Sequence, residues 1–234
     1  AIVAMVHAET STGMRNPAEE VGKLVKSHGA LFLLDCVTSL GCIPVEIDAW
    51  GVDAMYSCSQ KGLSCPPGLA PVSFSQRAVD KLQSRKSKVP NWYLDMSLLD
   101  KYWDGSPRAY HHTMSSNMIY ALYTGLDLLL AEGLENAFAR HKAMHEKLGE
   151  GLAKFGIKFF AEPQYRLPQI NAVTIPEGVD DAAVRGRLLS EFQIEIGSGL
   201  GPLAGKIWRI GLLGHAARPE NIDRLMKALE ACLK

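Results

Sequence analysis

The chain has 234 residues, 47% of them hydrophobic, enough to bury a sizeable core in one or two domains. Its 25 Lys and Arg balance 25 Asp and Glu, so there is no electrostatic case for nucleic acid or an acidic membrane surface as partner. Five cysteines, at 36, 42, 58, 65 and 232, form no CxxC pair and no metal-ligand spacing, which points to free thiols in a reducing compartment, and no apolar run approaches the length of a membrane span.

Ile2 to Val6 is a continuous apolar run, the pattern of a parallel strand covered on both faces. It ends in HAETSTG, a cluster of small hydroxyl residues closed by Gly13. Asn16 is expected to cap a helix with Pro17, Glu19 and Glu20 in its first turn, Val21, Leu24 and Val25 on one face, and Gly29 at its end. A strand over 30–34 follows and runs into Asp35. Strand, loop, helix and strand make a βαβ unit, and open α/β sheets place ligands at the carboxyl ends of such strands. Two short strands are predicted between Val45 and Ser57, then the loop SCSQKGLSCPPG, then a strand from Pro71 to Phe74. Arg77 to Lys88 reads as a polar helix running into a basic loop, SRKSK, whose charges suit a solvated surface. Residues 89–107 are aromatic and irregular, with Trp92, Tyr93, Tyr102 and Trp103. A helical pattern runs from Ser116 to Glu132, Gly133 breaks it, and a second helix covers 134–155. The remainder reads strand 157–161, strand 170–175, helix 180–191, a short strand around Ile194, strand 207–212 and helix 219–233. Gly133 is therefore the expected boundary between residues 1–133, built on a mostly parallel sheet, and residues 134–234, a compact α+β layer with helices on one face.

Asp35 ends one apolar strand and Lys61 lies just past another. Taken singly, Asp35 reads as the cap of the next turn and Lys61 as a solvated surface lysine. Together, in this order, they are the pair that pyridoxal phosphate chemistry needs: an amine to hold the cofactor's aldehyde and a carboxylate for its ring nitrogen. Arg209 is the one charge inside the apolar run IWRIGLL. A buried guanidinium needs a partner, so Arg209 is either half of a structural salt bridge or a receptor for a substrate carboxylate, which its fork suits bidentately. The residues alone leave those two readings even. His111 and His112 have no third ligand nearby, so no metal site is expected, and His7 reads as a structural residue rather than a base.

LLDCVTSLG followed by YSCSQKGLSCPPG resembles the fold-type I, class V pyridoxal-phosphate-dependent aminotransferases, and within them the alanine–glyoxylate (serine–pyruvate) group. HAETSTG at 7–13, RAYHHT at 108–113, GLGP at 199–202 and WRIGLLG at 208–214 resemble the same family in the same order. The resemblance implies an α/β fold with helices on both faces of the large-domain sheet, pyridoxal 5'-phosphate as cofactor, and small amino acids and keto acids as substrates. It implies Lys61 and Asp35 as catalytic residues and Arg209 as the seat of the substrate carboxylate. Thr10, where many relatives have Ser, would lie near the cofactor's phenolic oxygen, Val37 under its ring and Gln60 by its phosphate. Tyr110 and Thr113 match residues that reach the phosphate of the neighbouring subunit's cofactor, so a homodimer with shared sites is implied. Gln60 stands where cysteine desulfurases usually have His, which argues against desulfuration; Cys58 departs from the small Gly or Ser that relatives often carry. Alanine or serine as donor and glyoxylate or pyruvate as acceptor come from the resemblance alone, and serine–glyoxylate or 3-hydroxykynurenine transaminases share the same motifs. A cofactor-free Schiff-base lyase would use Lys61 but leave Asp35 without a purpose. The family has a further N-terminal portion with most of a phosphate-binding turn and a stacking aromatic. The chain is thus expected to be the C-terminal part of a longer protein, and a non-catalytic fragment is the remaining alternative. The family occurs in peroxisomes and mitochondria; a peroxisome is the expected location, with mitochondrion or cytoplasm as alternatives, although the ending ACLK is not an SKL-type address.

Overall fold

A computed structural model of the chain describes residues 1–103, 107 and 109–234. The first layer is built from β1 (Ile2–Val6), β2 (Ala8–Glu9), β3 (Met14–Arg15), α1 (Ala18–Ser27), β4 (Leu31–Asp35), β5 (Ala54–Tyr56) and β6 (Val72–Phe74). β1, β4 and β5 run parallel, and β6 closes the order β1-β4-β5-β6 antiparallel to β5. Side chains alternate across a strand, so Phe32 and Leu34 are fully buried with Ala18 and Val25 of α1, while Leu31, Leu33 and Asp35 belong to the other face. The register aligns Val6, Asp35 and Tyr56 as neighbours at the carboxyl end of the parallel strands.

Three expectations for this layer need correction. β1 forms, but as an edge strand among the described residues, with Ile2 and Val3 exposed rather than covered on both faces. Asn16 does not cap α1. The helix has Pro17 at that position with no side-chain cap, because the Asn16 amide instead donates to the Val6 carbonyl at 2.7 Å and holds the turn after β1. The first of the two strands predicted after Val45 is absent. Trp50 N–H donates to Glu46 O and Val52 N–H to Ile47 O, so this stretch is a series of turns. Val45 and Ile47 are apolar because they pack on the α1–β4 core, not because they join a ladder.

α2 (Gln76–Gln83) is capped by Ser75, and α3 (Met96–Trp103) lies where an irregular stretch was expected. Asp95 starts α3: its carboxylate accepts from Ser97 N–H at 3.0 Å and its carbonyl from Leu98 and Leu99, a start signal hidden among the aromatics. α4 (Ser116–Glu132) and α5 (Leu134–Ala153) meet at Gly133, whose φ of +86° breaks the helix as expected.

The second layer has β7 (Ile170–Thr174), α6 (Asp181–Phe192), β8 (Gly197–Ser198), β9 (Ile207–Gly211) and α7 (Pro219–Cys232). Its antiparallel sheet, β7-β9-β8, sets Val173, Trp208 and Ile210 against Leu148 and Leu152 of α5, Leu188 of α6 and Leu225 and Leu229 of α7. The strand expected over 157–161 is reduced to a single bridge, Phe159 to Val173. The short strand falls at Gly197–Ser198 rather than around Ile194, because Gln193 takes a left-handed conformation and Ile194 N–H closes the end of α6 on Leu188 O.

Specific polar contacts join the layers. Gln169 Nε2 donates to Thr38 O at 2.8 Å and Leu167 N–H to Gly13 O at 3.0 Å. Arg140 of α5 holds both oxygens of Glu132 and donates to Gly214 O at 2.8 Å, fixing the loop after β9; these bonds hold the Glu132 carboxyl below the usual carboxylate range. Among the described residues, no helix is long and apolar enough to cross a membrane.

Candidate active site

Asp35 ends β4 with both carboxylate oxygens oriented. Oδ1 accepts from Val37 N–H at 2.8 Å and Oδ2 from the Tyr56 phenol at 2.7 Å. The strand ends are sewn together below it, with Cys36 N–H on Tyr56 O at 2.9 Å and Ser57 Oγ on Cys36 O at 3.0 Å. The Lys61 loop is a compact turn: Ser64 N–H donates to Lys61 O, Cys65 N–H to Ser59 O, and Ser59 Oγ to Pro66 O at 2.6 Å. A Cβ at position 62 would stand 2.1 Å from Leu40 O. Glycine is therefore what lets the half-buried Lys61 sit on a loop pressed against the one that follows Asp35. Gln60 is exposed beside it. Cys58, the departure noted in the sequence, turns its Sγ toward Val37 O at 4.0 Å.

Thr10 joins this group through Thr38. Its hydroxyl donates to Thr38 Oγ1 at 3.5 Å, and Thr38 donates to Ala8 O at 2.8 Å. The Thr10 loop also abuts the second layer. Gly13, at φ +70°, leaves no room for a side chain, since a Cβ there would lie 2.9 Å from Ile170 O and 3.0 Å from Ala172 N. Ala172 is the cross-strand partner of Arg209. Arg209 itself is half-buried, its Nε donates to Ser198 O at 2.8 Å, and its guanidinium lies against Gly197. Among the described residues no carboxylate pairs with it. Arg209 is thus not half of a structural salt bridge among the described residues, and no described carboxylate takes its two terminal nitrogens.

Tyr110 and Thr113 pair with each other. Their hydroxyls bond to each other at 2.6 Å and both residues are exposed. The segment is anchored by Trp92 stacked on His111 at 4.0 Å, with a ring nitrogen of His111 on Trp92 O. Arg108, the first residue of RAYHHT, lies outside the described residues. Among the described residues no His, Cys, Asp and Glu group has the makings of a metal site. His7 is buried edge-on against Trp50, and burial reinforced by nearby Arg15 lowers its pKa to about 4, so it stays neutral. A cavity of about 970 Å³ lies along the sheet against Ile2, Leu31, Val72 and Phe74. Its one buried acid, Asp53, is already satisfied by Phe32 N–H, Ser75 and Arg77, so the chemistry gathers at the Asp35 end.

The aminotransferase class-V family model matches residues 1–225. The chain belongs to the class-V aminotransferases. Alanine–glyoxylate aminotransferase of Mus musculus is 41% identical over 236 residues, covering 100% of this chain and 57% of that protein. (S)-Ureidoglycine–glyoxylate transaminase of Bacillus subtilis is 39% identical over 250 residues, covering 99% of this chain and 60% of its own length. The crystal structure of an alanine–glyoxylate aminotransferase from Nostoc sp. superposes with a TM-score of 0.97 at 55% identity, over 100% of this chain and 62% of that one. The chain therefore spans about three fifths of the length of these relatives. Class-V membership brings pyridoxal 5'-phosphate as the cofactor. The donor set of this class-V chain fits that group: a carboxylate with both oxygens held in place, a half-buried lysine on the adjoining loop, a hydroxyl at Thr10 and the apolar Val37 next to Asp35.

Two contacts at the site have no counterpart in the sequence reading. Tyr56 was simply the end of a strand, and only the β4–β5 register makes it a neighbour of Asp35. Gln169 and Thr38 are distant in sequence, and nothing in either local pattern announces their bond.

Proposed function

We propose that the protein is a pyridoxal-phosphate-dependent transaminase moving an amino group from alanine or serine to glyoxylate or pyruvate. The observation that carries this reading is Asp35, held by two donors beside the Lys61 loop, in a class-V aminotransferase. When bound, the cofactor supplies the electron sink that makes the Cα–H bond of an amino acid acidic. Lys61 Nζ would hold the cofactor's aldehyde carbon and, as a free amine, would carry the proton taken from the substrate Cα. Asp35 would keep the ring nitrogen protonated. Arg209 receives the α-carboxylate through its terminal nitrogens, since Nε is already committed to Ser198 O. Thr10, Val37 and Gln60 are assigned to the phenolic oxygen, ring face and phosphate. Tyr110 and Thr113 are assigned to the partner subunit's cofactor phosphate in a homodimer, a role supported by their exposure. Residues 1–133 are taken as the large-domain part and 134–234 as the small domain, supported by the break at Gly133 and by the separate apolar cores of the two layers.

A second reading keeps glyoxylate as acceptor and takes (S)-ureidoglycine as donor, favoured by the Bacillus subtilis relative. A panel of donors against glyoxylate and pyruvate separates the two. Higher kcat/KM with alanine or serine is expected, preference for (S)-ureidoglycine would select the second reading, and no amino transfer at all would refute both.

Arg209→Lys tests the carboxylate seat. It keeps the charge but loses the planar fork, and losing one charge-assisted hydrogen bond costs about 1.5–3 kcal/mol, or roughly ten- to a hundredfold in substrate binding. Amino acid and keto acid KM are both expected to rise, with little change for an amine lacking a carboxylate. An equal loss for both kinds of substrate would show that Arg209 only supports the strand.

A further inference from the structure

We propose that Tyr56 is the positioning residue for Asp35, holding its carboxylate in the orientation from which it meets the ring nitrogen of the cofactor. The inference rests on the proposed role of Asp35 and adds the group that makes the role possible.

The parallel register of β4 and β5 sets Asp35 beside Tyr56. Adjacent residues of paired strands share a face, so the phenol reaches across one strand spacing and donates to Oδ2 at 2.7 Å. Val37 N–H takes Oδ1 from the other side at 2.8 Å. The terminal torsion of an aspartate is broad and roughly two-fold, and a single backbone donor on one oxygen leaves it free to rock. A second donor on the second oxygen fixes the carboxylate plane. An ionised carboxylate has about four acceptor positions; two are filled here, one on each oxygen, so either oxygen retains a lone pair for a ring N–H.

Packing does not account for this tyrosine. Tyr56 is 37% exposed, so its ring is not held by burial, and a phenylalanine would cover the same strand end. The hydroxyl is the part with a specific partner. Asp35 also keeps it a donor: the hydrogen bond to that carboxylate, helped by burial, raises the phenol's pKa to about 12, and it stays protonated throughout the range in which an enzyme works. A neutral donor on an anion gives a short, charge-assisted bond, and it leaves the negative charge of Asp35 available to the ring nitrogen, which a lysine or arginine in the same place would cancel.

The test compares the full-length protein with its Tyr56→Phe variant, using two probes for cofactor affinity. One is pyridoxal phosphate; the other is its 1-deaza analogue, in which C–H replaces the ring nitrogen. If Tyr56 acts through Asp35 on that nitrogen, the variant should bind pyridoxal phosphate about three- to tenfold more weakly, the size of one ordinary hydrogen bond, and bind the analogue as the parent does. Equal weakening for both probes, or for neither, would overturn the proposal, because a merely structural tyrosine does not distinguish nitrogen from carbon in the ring. A second measurement needs no cofactor. With tyrosine labelled at the Cζ carbon, the Tyr56 signal, identified by its loss in Tyr56→Phe, should remain that of a neutral phenol at pH 11. In Asp35→Asn it should ionise at lower pH. Ionisation of Tyr56 near pH 10 in the parent would mean that the bond is not held in solution, and the inference would fail while the transaminase reading stood. Failure of the parent to bind pyridoxal phosphate at all would remove both.

Discussion

Borohydride reduction of the full-length protein mixed with pyridoxal phosphate is expected to leave a phosphopyridoxyl group on the peptide that carries Lys61, and on no other. In Lys61→Ala that label should disappear. Only an amine condenses with an aldehyde and can be fixed by reduction, and Lys61 is the amine on the loop pressed against the end of β4, where Gly62 approaches Leu40 O too closely for any side chain. Transamination should fall with it by roughly 10²–10⁴-fold from the lost proton transfer alone, and further from the lost attachment. Some cofactor should remain bound without a covalent link, held by contacts that the substitution does not touch. A label on a different lysine, or a Lys61→Ala variant with unchanged turnover, would end the assignment.

Asp35→Asn is expected to give the second largest loss, and to give it mainly in kcat. The amide keeps the shape of the carboxylate and can still accept from Val37 N–H or the Tyr56 phenol, so the fold should survive. What goes is the negative charge that is proposed to meet the ring nitrogen. A charge-assisted hydrogen bond is worth about 1.5–3 kcal/mol, and an interaction that strengthens as charge develops on the substrate appears in the rate rather than in binding. The expected fall is about ten- to a hundredfold in the single-turnover rate with the amino donor, with a smaller change in donor KM. An unchanged single-turnover rate would show that Asp35 does not serve the electron sink.

The two predictions use residues whose importance was legible in one dimension, for a definite reason. A strand that ends on a carboxylate and a loop that opens with an amine followed by glycine are local patterns. Asp35 and Lys61 owe their positions to strand ends that alternation and apolar runs announce. The helix break at Gly133 was readable for the same reason, because a φ of +86° is a backbone demand that glycine meets by itself. Where the local signal was ambiguous the reading failed. Val45 and Ile47 carry a strand's composition but are apolar because they pack on α1, and Asp95 starts a helix inside an aromatic stretch.

The amino-acid sequence by itself pointed to the family, the order of most elements and the candidate residues Asp35, Lys61 and Arg209, since each of these rests on residue type and short-range spacing. The tertiary structure alone decided how those residues are held. Whether Arg209 was bound to a carboxylate was even on sequence, and the fold settled it by giving its Nε the Ser198 carbonyl and no acidic partner among the described residues. The hydroxyl that orients Asp35 belongs to Tyr56, and the amide that ties Thr38 to the second layer belongs to Gln169. Both are contacts between segments far apart in the chain. Such pairs follow from strand register and from the packing of one layer on another, and neither quantity is written in the periodicity of any single segment.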